Sequence, residues 1–181
     1  MPTCQDVTTH ALRLSGVVGI GDLPEGEEAE FAQAELQGLL DGWFQQGMFG
    51  ALTDVTKTSD YHANEFERVN AATVITVTKP LTISDDDDRA PYDLASLVIV
   101  QNAVVERWIY DRQWVQIDDL DLADECPLAW RNMAGLAACL ALRIAPFGNP
   151  IDPRTNKAAV DFRTSLMLKA GSRRTQTVEF M

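Results

Sequence analysis

The sequence predicts an α+β fold, in which a four-helix core carries a small antiparallel β-sheet inserted between helices 2 and 3, and an extended C-terminal tail follows. Apolar residues recur every three or four positions in the first 50 residues and again after residue 126, which is typical of helices that bury one face. Short β-branched runs bounded by turn residues lie between these regions and indicate strands. The last ten residues are too short to pack as an element.

Two capped helices are predicted in the first 50 residues. Thr3 and the aspartate three residues later have the spacing of a capping box, and Gly16 suits the end of the first helix. Asp22 and Glu25 predict a second capping box, before a glutamate-rich first turn that suits the positive end of a helix dipole, and Gly47 is the predicted C-terminal cap. The predicted buried stripes are Cys4, Val7, Ala11 and Leu14 in the first helix, and Ala29, Ala32, Leu36, Leu39, Leu40 and Trp43 in the second.

The middle third of the chain predicts the inserted sheet. Residues 72–79 are rich in β-branched side chains and are followed by proline, and residues 94–101 form a short apolar run bounded by loop residues. Residues 107–110 and 114–117 flank a three-residue connection, which is the pattern of a β-hairpin. We therefore expect these runs to form a small antiparallel sheet.

Two further helices are predicted towards the C-terminus. A segment with few polar residues opens at Pro127 and runs to Ala145. A helix that is apolar on almost all sides must be covered from several directions, so this segment is predicted to be the central helix of the fold. Asp152 and Pro153 predict the start of a last helix, which ends at Gly171 and has Ala159, Phe162, Leu166 and Ala170 on one apolar face.

A chain of 181 residues has the length of one domain. The predicted domain covers residues 1–171, with a helical core at 3–50 and 124–171 and a β-rich insertion at 54–119, and residues 172–181 form the tail. No apolar stretch reaches the roughly 18 residues that a membrane span needs. The N-terminus has no basic segment leading into an apolar run, so no secretory signal is expected.

Charge is distributed unevenly along the chain. Residues 1–125 hold seven basic and twenty-four acidic side chains, whereas residues 126–181 hold eight basic and three acidic ones, so the two parts carry −17 and +5. An acidic chain repels phosphates, which argues against a broad nucleic-acid interface. The acidity is expected chiefly to keep the protein in solution, and the basic end suits an acidic partner or the acidic part of a neighbouring copy.

Four consecutive carboxylates, Asp85, Asp86, Asp87 and Asp88, raise the possibility of a metal site. Calcium loops place oxygen ligands on alternating residues around a glycine, however, and this run has neither feature. We therefore expect an acidic turn at the end of a hairpin.

The remaining candidates for chemistry are isolated residues. The acidic stretch from Asp118 to Glu125 is expected to supply negative charge at a helix N-terminus rather than a catalytic carboxylate pair. His10 and His62 have no cysteine or histidine at metal-ligand spacing. The thiols, at Cys4, Cys126 and Cys139, are expected to be free in a reducing compartment. With no recognisable catalytic motif, the sequence predicts no enzyme, no cofactor and no metal.

The C-terminal tail is the candidate docking segment. Arg173 and Arg174 are only weak evidence for a phosphate contact, and the chain ends with apolar Val178, Phe180 and Met181. An extended end that carries such residues can dock into a groove of a partner and become ordered there, although a frayed terminus is an equal alternative.

Several short motifs occur in a distinctive order. Gly-Trp stands at 42–43, Ala-Pro-Tyr-Asp at 90–93, Pro-Leu at 127–128 and Ala-Pro-Phe-Gly at 145–148. In this order, the chain resembles the head-to-tail adaptor (connector, or head-completion) proteins of tailed phages, including adaptors of phage-like gene-transfer particles. The resemblance covers most of residues 3–170 and includes the N-terminal helical pair, the strand insert and the third helix.

The resemblance implies a structural virion protein rather than an enzyme. Such adaptors assemble as a ring, commonly twelvefold, at the head–tail junction; the ring binds below the portal protein, prolongs the DNA channel and offers a platform to the next tail or stopper component. The tail residues Arg173, Arg174 and Phe180 would then insert between portal subunits, and Asp85–Asp88 would face the channel or a neighbouring subunit. Genomic DNA would pass without sequence-specific binding, and no membrane would be involved.

Two alternatives from other classes stay open at this point. One is an acidic cytosolic interaction or inhibitor protein that mimics nucleic acid with its aspartate-rich loops and binds a basic partner with a steep salt dependence. The other is a metal-dependent enzyme that uses the Asp85–Asp88 run.

Overall fold

The computed structural model describes residues 2–50, 63–69, 72–77, 94–101, 104–145 and 151–171. Four helices, and a sheet between the second and third of them, confirm the predicted α+β class. The predicted tail lies outside the described residues. In chain order the elements are α1 (Cys4–Leu14), α2 (Gly26–Gln45), β1 (Ala63–Val69), β2 (Ala72–Val77), β3 (Ala95–Gln101), β4 (Val104–Tyr110), β5 (Trp114–Gln116), α3 (Ala129–Ile144) and α4 (Pro153–Gly171).

Both ends of α1 follow the predicted capping pattern. The Thr3 hydroxyl accepts a hydrogen bond from the Asp6 N–H at 3.2 Å, and the Thr3 N–H donates to the Asp6 carboxylate at 2.9 Å. At the other end Gly16 has a φ of 76°, a left-handed conformation that glycine adopts without steric cost. Its N–H and that of Val17 donate back to carbonyls of the last turn, as in a Schellman motif.

Helix α2 begins later than the predicted cap. Asp22 lies in the preceding turn, where its N–H donates to the Gly19 carbonyl at 3.2 Å. The helix is capped instead by Glu25, whose N–H donates to the Glu28 carboxylate at 2.9 Å. The prediction of Asp22 as the cap was wrong because the capping-box spacing of three residues occurs twice, at Asp22/Glu25 and at Glu25/Glu28, and the helix uses the second pair. The end was predicted correctly, since Gly47 has a φ of 70° and closes the helix.

The sheet is mixed rather than wholly antiparallel. Its five strands lie in chain order, and the pairs β1–β2, β3–β4 and β4–β5 are antiparallel; the β4–β5 pair is the predicted hairpin. The pair β2–β3 is parallel, with Ile75 opposite Ile99. A parallel pair needs a crossover of a dozen or more residues, and the connection 78–94 is long enough for one. The predicted turn at 84–91 lies outside the described residues.

Strand β1 was not predicted, and β4 begins before the predicted residue 107. The sequence of β1, ANEFERV, contains three charged residues and so lacks the β-branched signal. Strand β3 was predicted because most of its residues are apolar, and residues 94–99 are buried without alternation. Consecutive burial means that both faces of this strand are covered.

Helix α3 contains a kink near its start. Asn132 has φ −165° and ψ 88°, outside the helical region, and its side-chain carbonyl accepts a hydrogen bond from the Gly135 N–H at 2.9 Å. Asn132 therefore caps the longer, regular part of α3. Residues 135–141 are all buried, so the prediction of a helix covered from several sides is confirmed.

Helix α4 begins and ends as predicted. The Asp152 side chain accepts a hydrogen bond from the Arg154 N–H at 2.8 Å, and Pro153 occupies the first helical position, where its missing N–H is not needed. Ala159, Phe162 and Leu166 are buried, in agreement with the predicted apolar face.

The chain forms two compact units. One consists of Met1–Asp41 with Asp119–Ser165, and holds α1, α3 and most of α2 and α4. The other consists of Gly42–Asp118 and the part of α4 from Leu166, and holds the sheet. No helix within the described ranges is long and apolar enough to cross a membrane.

Candidate interaction surfaces

The residues predicted to dock and to line a channel lie outside the described residues. These are the tail positions Arg173, Arg174, Val178, Phe180 and Met181, and the aspartates Asp85, Asp86, Asp87 and Asp88. Their roles stay predictions. The surfaces that the structure does describe belong to the two units separately.

The acidic stretch after β5 was predicted to supply negative charge at the N-terminus of the helix that follows it, and this prediction was wrong. Helix α3 has no acidic residue in its first turn. Asp118 instead pairs with Arg107, accepting hydrogen bonds from its backbone N–H at 2.6 Å and from its guanidinium. Asp124 accepts from the Asp121 N–H at 2.8 Å. These carboxylates therefore stabilise local backbone geometry in the connection between β5 and α3.

The three cysteines are free and buried. Cys4 and Cys126 are brought together by an antiparallel bridge between Thr3 and Glu125, and the Cys126 N–H donates to the Pro2 carbonyl at 3.0 Å. A hydrogen bond with the Cys4 thiol, together with burial, raises the pKa of the Cys126 thiol. Within the described ranges no group of three potential metal ligands occurs. The contact between these two thiols was not predicted, because Cys4 and Cys126 are far apart along the chain.

The third thiol lies on α3 and faces α4. The Cys139 Sγ donates to the Ala159 carbonyl at 3.4 Å. Burial raises the pKa of the Cys139 thiol to about 11, against a smaller opposing effect of the Arg163 charge. A thiol with such a pKa is protonated at neutral pH and is therefore a poor nucleophile.

Helix α2 presents an acidic face to solvent. Glu27, Glu30, Phe31 and Ala34 are exposed and lie at helical spacing on the side opposite the buried stripe, and we call them the acidic face. Phe31 is 52% exposed, which is unusual for a large aromatic side chain. Helix α2 carries no basic residue, and the Arg143 guanidinium of α3 donates to Glu35 on this helix at 2.8 Å, so the charge of the acidic face is that of Glu27 and Glu30.

The connection between α1 and α2 adds exposed apolar side chains next to this helix. Ile20 is 99% exposed and Leu23 is 83% exposed. The Arg13 guanidinium donates to the Asp22 carbonyl at 2.9 Å and thereby holds the connection against the end of α1. The connection therefore exposes apolar side chains beside the acidic residues Asp22 and Glu25.

Helix α4 presents the opposite charge. Lys157, Val160, Arg163 and Thr164 are exposed on the side away from buried Phe162, and we call them the basic face. Val160 is 56% exposed. The exposed apolar side chains continue along the same helix with Met167 and Leu168, the latter 70% exposed. No such face was predicted from the sequence, although these residues fall outside the apolar stripe of the helix.

Comparison of the chain with protein-family models gives no match, and comparison with curated proteins gives no significant match.

Proposed function

We propose that this chain is a structural virion protein, a head-to-tail adaptor that forms a ring below the portal of a tailed-phage-like particle. The observation that carries the proposal is the order of motifs and elements along the chain. Gly42 and Trp43 stand near the end of α2, a small sheet follows, and Pro127 and Leu128 immediately precede a third helix that is buried on several sides. The motifs at 90–93 and 146–148 lie outside the described residues.

The charge of the chain suits a neck through which DNA passes. With a net charge of −12, the protein repels phosphates instead of holding them, so DNA moves past without adhering. We place Asp85–Asp88 at the channel or at a subunit boundary on this basis. The ring would lie at the virion neck, after synthesis in the host cytoplasm.

The tail supplies the contact with the portal in this proposal. Arg173 and Arg174 provide charge, and Val178, Phe180 and Met181 provide apolar side chains that fill a groove between portal subunits. The remaining chain forms the platform for the next tail or stopper component. The role is structural, and no reaction is assigned to it.

Imaging of purified particles, with peptide mass spectrometry of the same fraction, tests the proposal. We expect density for this chain as a ring between head and tail, and its peptides in intact particles. Absence of the peptides from intact particles would contradict the adaptor function. A monomer that binds a basic partner with steep salt dependence would favour the alternative of an acidic nucleic-acid mimic.

Removal of residues 172–181 tests the docking segment separately. We expect the truncated chain to lose portal binding and to keep the circular dichroism spectrum of the full chain. Substitution of Ser172 and Thr175 by alanine is the matched control, since it alters the same segment and leaves its basic and apolar side chains in place. Normal head-to-tail joining by the truncated chain would remove the tail from the proposal.

A further inference from the structure

Two exposed faces of this chain are complementary in charge and both contain exposed apolar side chains. The acidic face of α2 combines Glu27 and Glu30 with Phe31, and the basic face of α4 combines Lys157 and Arg163 with Val160. Exposed apolar area that is flanked by charge is typical of protein-protein interaction sites. Because these faces are on different helices, the acidic face of one copy can contact the basic face of a second copy.

We propose that the acidic face of α2 in one copy docks against the basic face of α4 in the next copy. A contact between two different surfaces is heterologous, so it leaves one unoccupied face at each end of a pair and propagates to a closed ring or a chain. The inference rests on the proposed function in that an adaptor works as such a ring. It adds to that function the two surfaces that join its subunits.

Charge complementarity indicates that the partner bound at each face is a second copy of this chain. The chain as a whole is strongly acidic, so two copies repel each other at long range unless a basic surface meets an acidic one. Helix α2 has no basic residue, and the exposed residues of α4 from Arg154 to Leu168 include three basic side chains and only Asp161 as a counter-charge. Phe31 and Val160 then provide apolar contacts between the charged pairs.

The helical spacing of the two faces also suits a helix-on-helix contact. Glu30 and Phe31 lie three and four residues after Glu27, and Val160 and Thr164 follow Lys157 in steps of three and four. Rows of side chains with this spacing form the ridges that pack into the grooves of a facing helix. One such contact is small compared with the roughly 800 Å² per partner of a standard interface, so we expect association that depends on concentration.

Reciprocal charge reversal tests the pairing by analytical ultracentrifugation at physiological ionic strength. The wild-type chain is expected to associate. Glu30→Lys and Lys157→Glu are each expected to raise the dissociation constant about tenfold, since like charges then face each other. The double variant Glu30→Lys/Lys157→Glu is expected to recover association, because opposite charges meet again. Asp121→Lys makes the same change in net charge as Glu30→Lys, at an exposed position outside both faces, and serves as the control for that variant.

The outcomes separate this inference from the proposed function. A wild-type chain that stays monomeric at the highest attainable concentration, or a double variant no better than either single one, would overturn the pairing of the two faces. If Glu30→Lys particles still carry the ring, the faces are wrong while the adaptor function stands. If the wild-type chain is absent from particles but the reciprocal rescue is observed, the adaptor function fails and the docking surfaces stand.

Discussion

Gly135 on α3 lies so close to Phe162 on α4 that a methyl group at position 135 would come within 2.7 Å of the Phe162 Cβ. The same methyl group would lie 2.9 Å from the Asn132 side-chain nitrogen. Because Phe162 is buried and cannot move freely, glycine is the residue that allows the two helices to approach at this point.

Gly135→Ala is expected to destabilise the protein by about 1–3 kcal/mol, since overpacking forces neighbouring side chains from their preferred positions. Urea unfolding followed by circular dichroism measures the change in the free energy of unfolding. Gly42→Ala is the control, because Gly42 also lies inside a helix but has no atom within 4 Å of the added methyl group. That variant is expected to be more stable, by up to about 1 kcal/mol. Equal stability of the two variants would contradict the close approach.

The ion pair between Arg107 and Asp118 is expected to stabilise the β-sheet unit. Asp118→Ala removes the acceptor of both the Arg107 backbone N–H and its guanidinium, and its cost is expected to be about 1–3 kcal/mol. A double-mutant cycle with Arg107→Ala should give a coupling energy of about 0.5 kcal/mol or more. Asp121→Ala, at an exposed acidic position, is expected to change stability by less than about 0.5 kcal/mol. If Asp118→Ala and Arg107→Ala change the free energy of unfolding additively, the two side chains are not coupled.

The capping box of α1 is expected to make stability depend on pH. Hydrogen bonds from the Thr3 backbone N–H and hydroxyl lower the pKa of the Asp6 carboxyl below its ordinary value of 3.8. A lowered pKa in the folded state contributes stability above 3.8, and this contribution is lost as the pH falls through the lowered value.

Thr3→Ala is therefore expected to destabilise the protein at neutral pH by about 0.5–2 kcal/mol and to have a smaller effect in acid. Urea midpoints measured from neutral pH downwards follow this difference. Thr3→Ser keeps the hydroxyl group and should behave like the wild-type chain. A destabilisation by Thr3→Ala that is constant down to the acid limit would show that Asp6 does not contribute through its charge.

The three thiols are expected to react slowly in the folded protein. All three are buried, and the raised pKa of Cys139, about 11, keeps its thiol protonated at neutral pH. Because this pKa exceeds the ordinary value of 9.0, the associated stability is present below pH 9.0 and is lost as the pH rises through about 11. Titration with a chromogenic disulfide reagent should give a fast phase only after unfolding.

An added cysteine provides the positive control for this titration. Ala123 is exposed, so Ala123→Cys should contribute one thiol that reacts at once in the folded state. Rapid reaction of a wild-type thiol, at a rate like that of the added one, would contradict the burial of the cysteines.

Short-range features of this protein followed from its sequence alone. The caps at Thr3, Gly16, Gly47 and Asp152 and the hairpin between β4 and β5 were all predicted, because each depends on residues within a few positions of one another. The predicted burial of α3 was confirmed for residues 135–141, since a segment with so few polar groups buries most of its sides.

Tertiary structure decided the features that depend on contacts between distant residues. The parallel pairing of β2 with β3, the charged strand β1, the kink at Asn132 and the pairing of Cys4 with Cys126 were not predicted. Local sequence patterns do not identify the segment that packs against a given strand or helix in the fold. This neighbouring segment sets the strand register and the burial of side chains. Likewise, the sequence marks Phe31 and Val160 as apolar, but only the packing of α2 and α4 determines that both side chains face outwards.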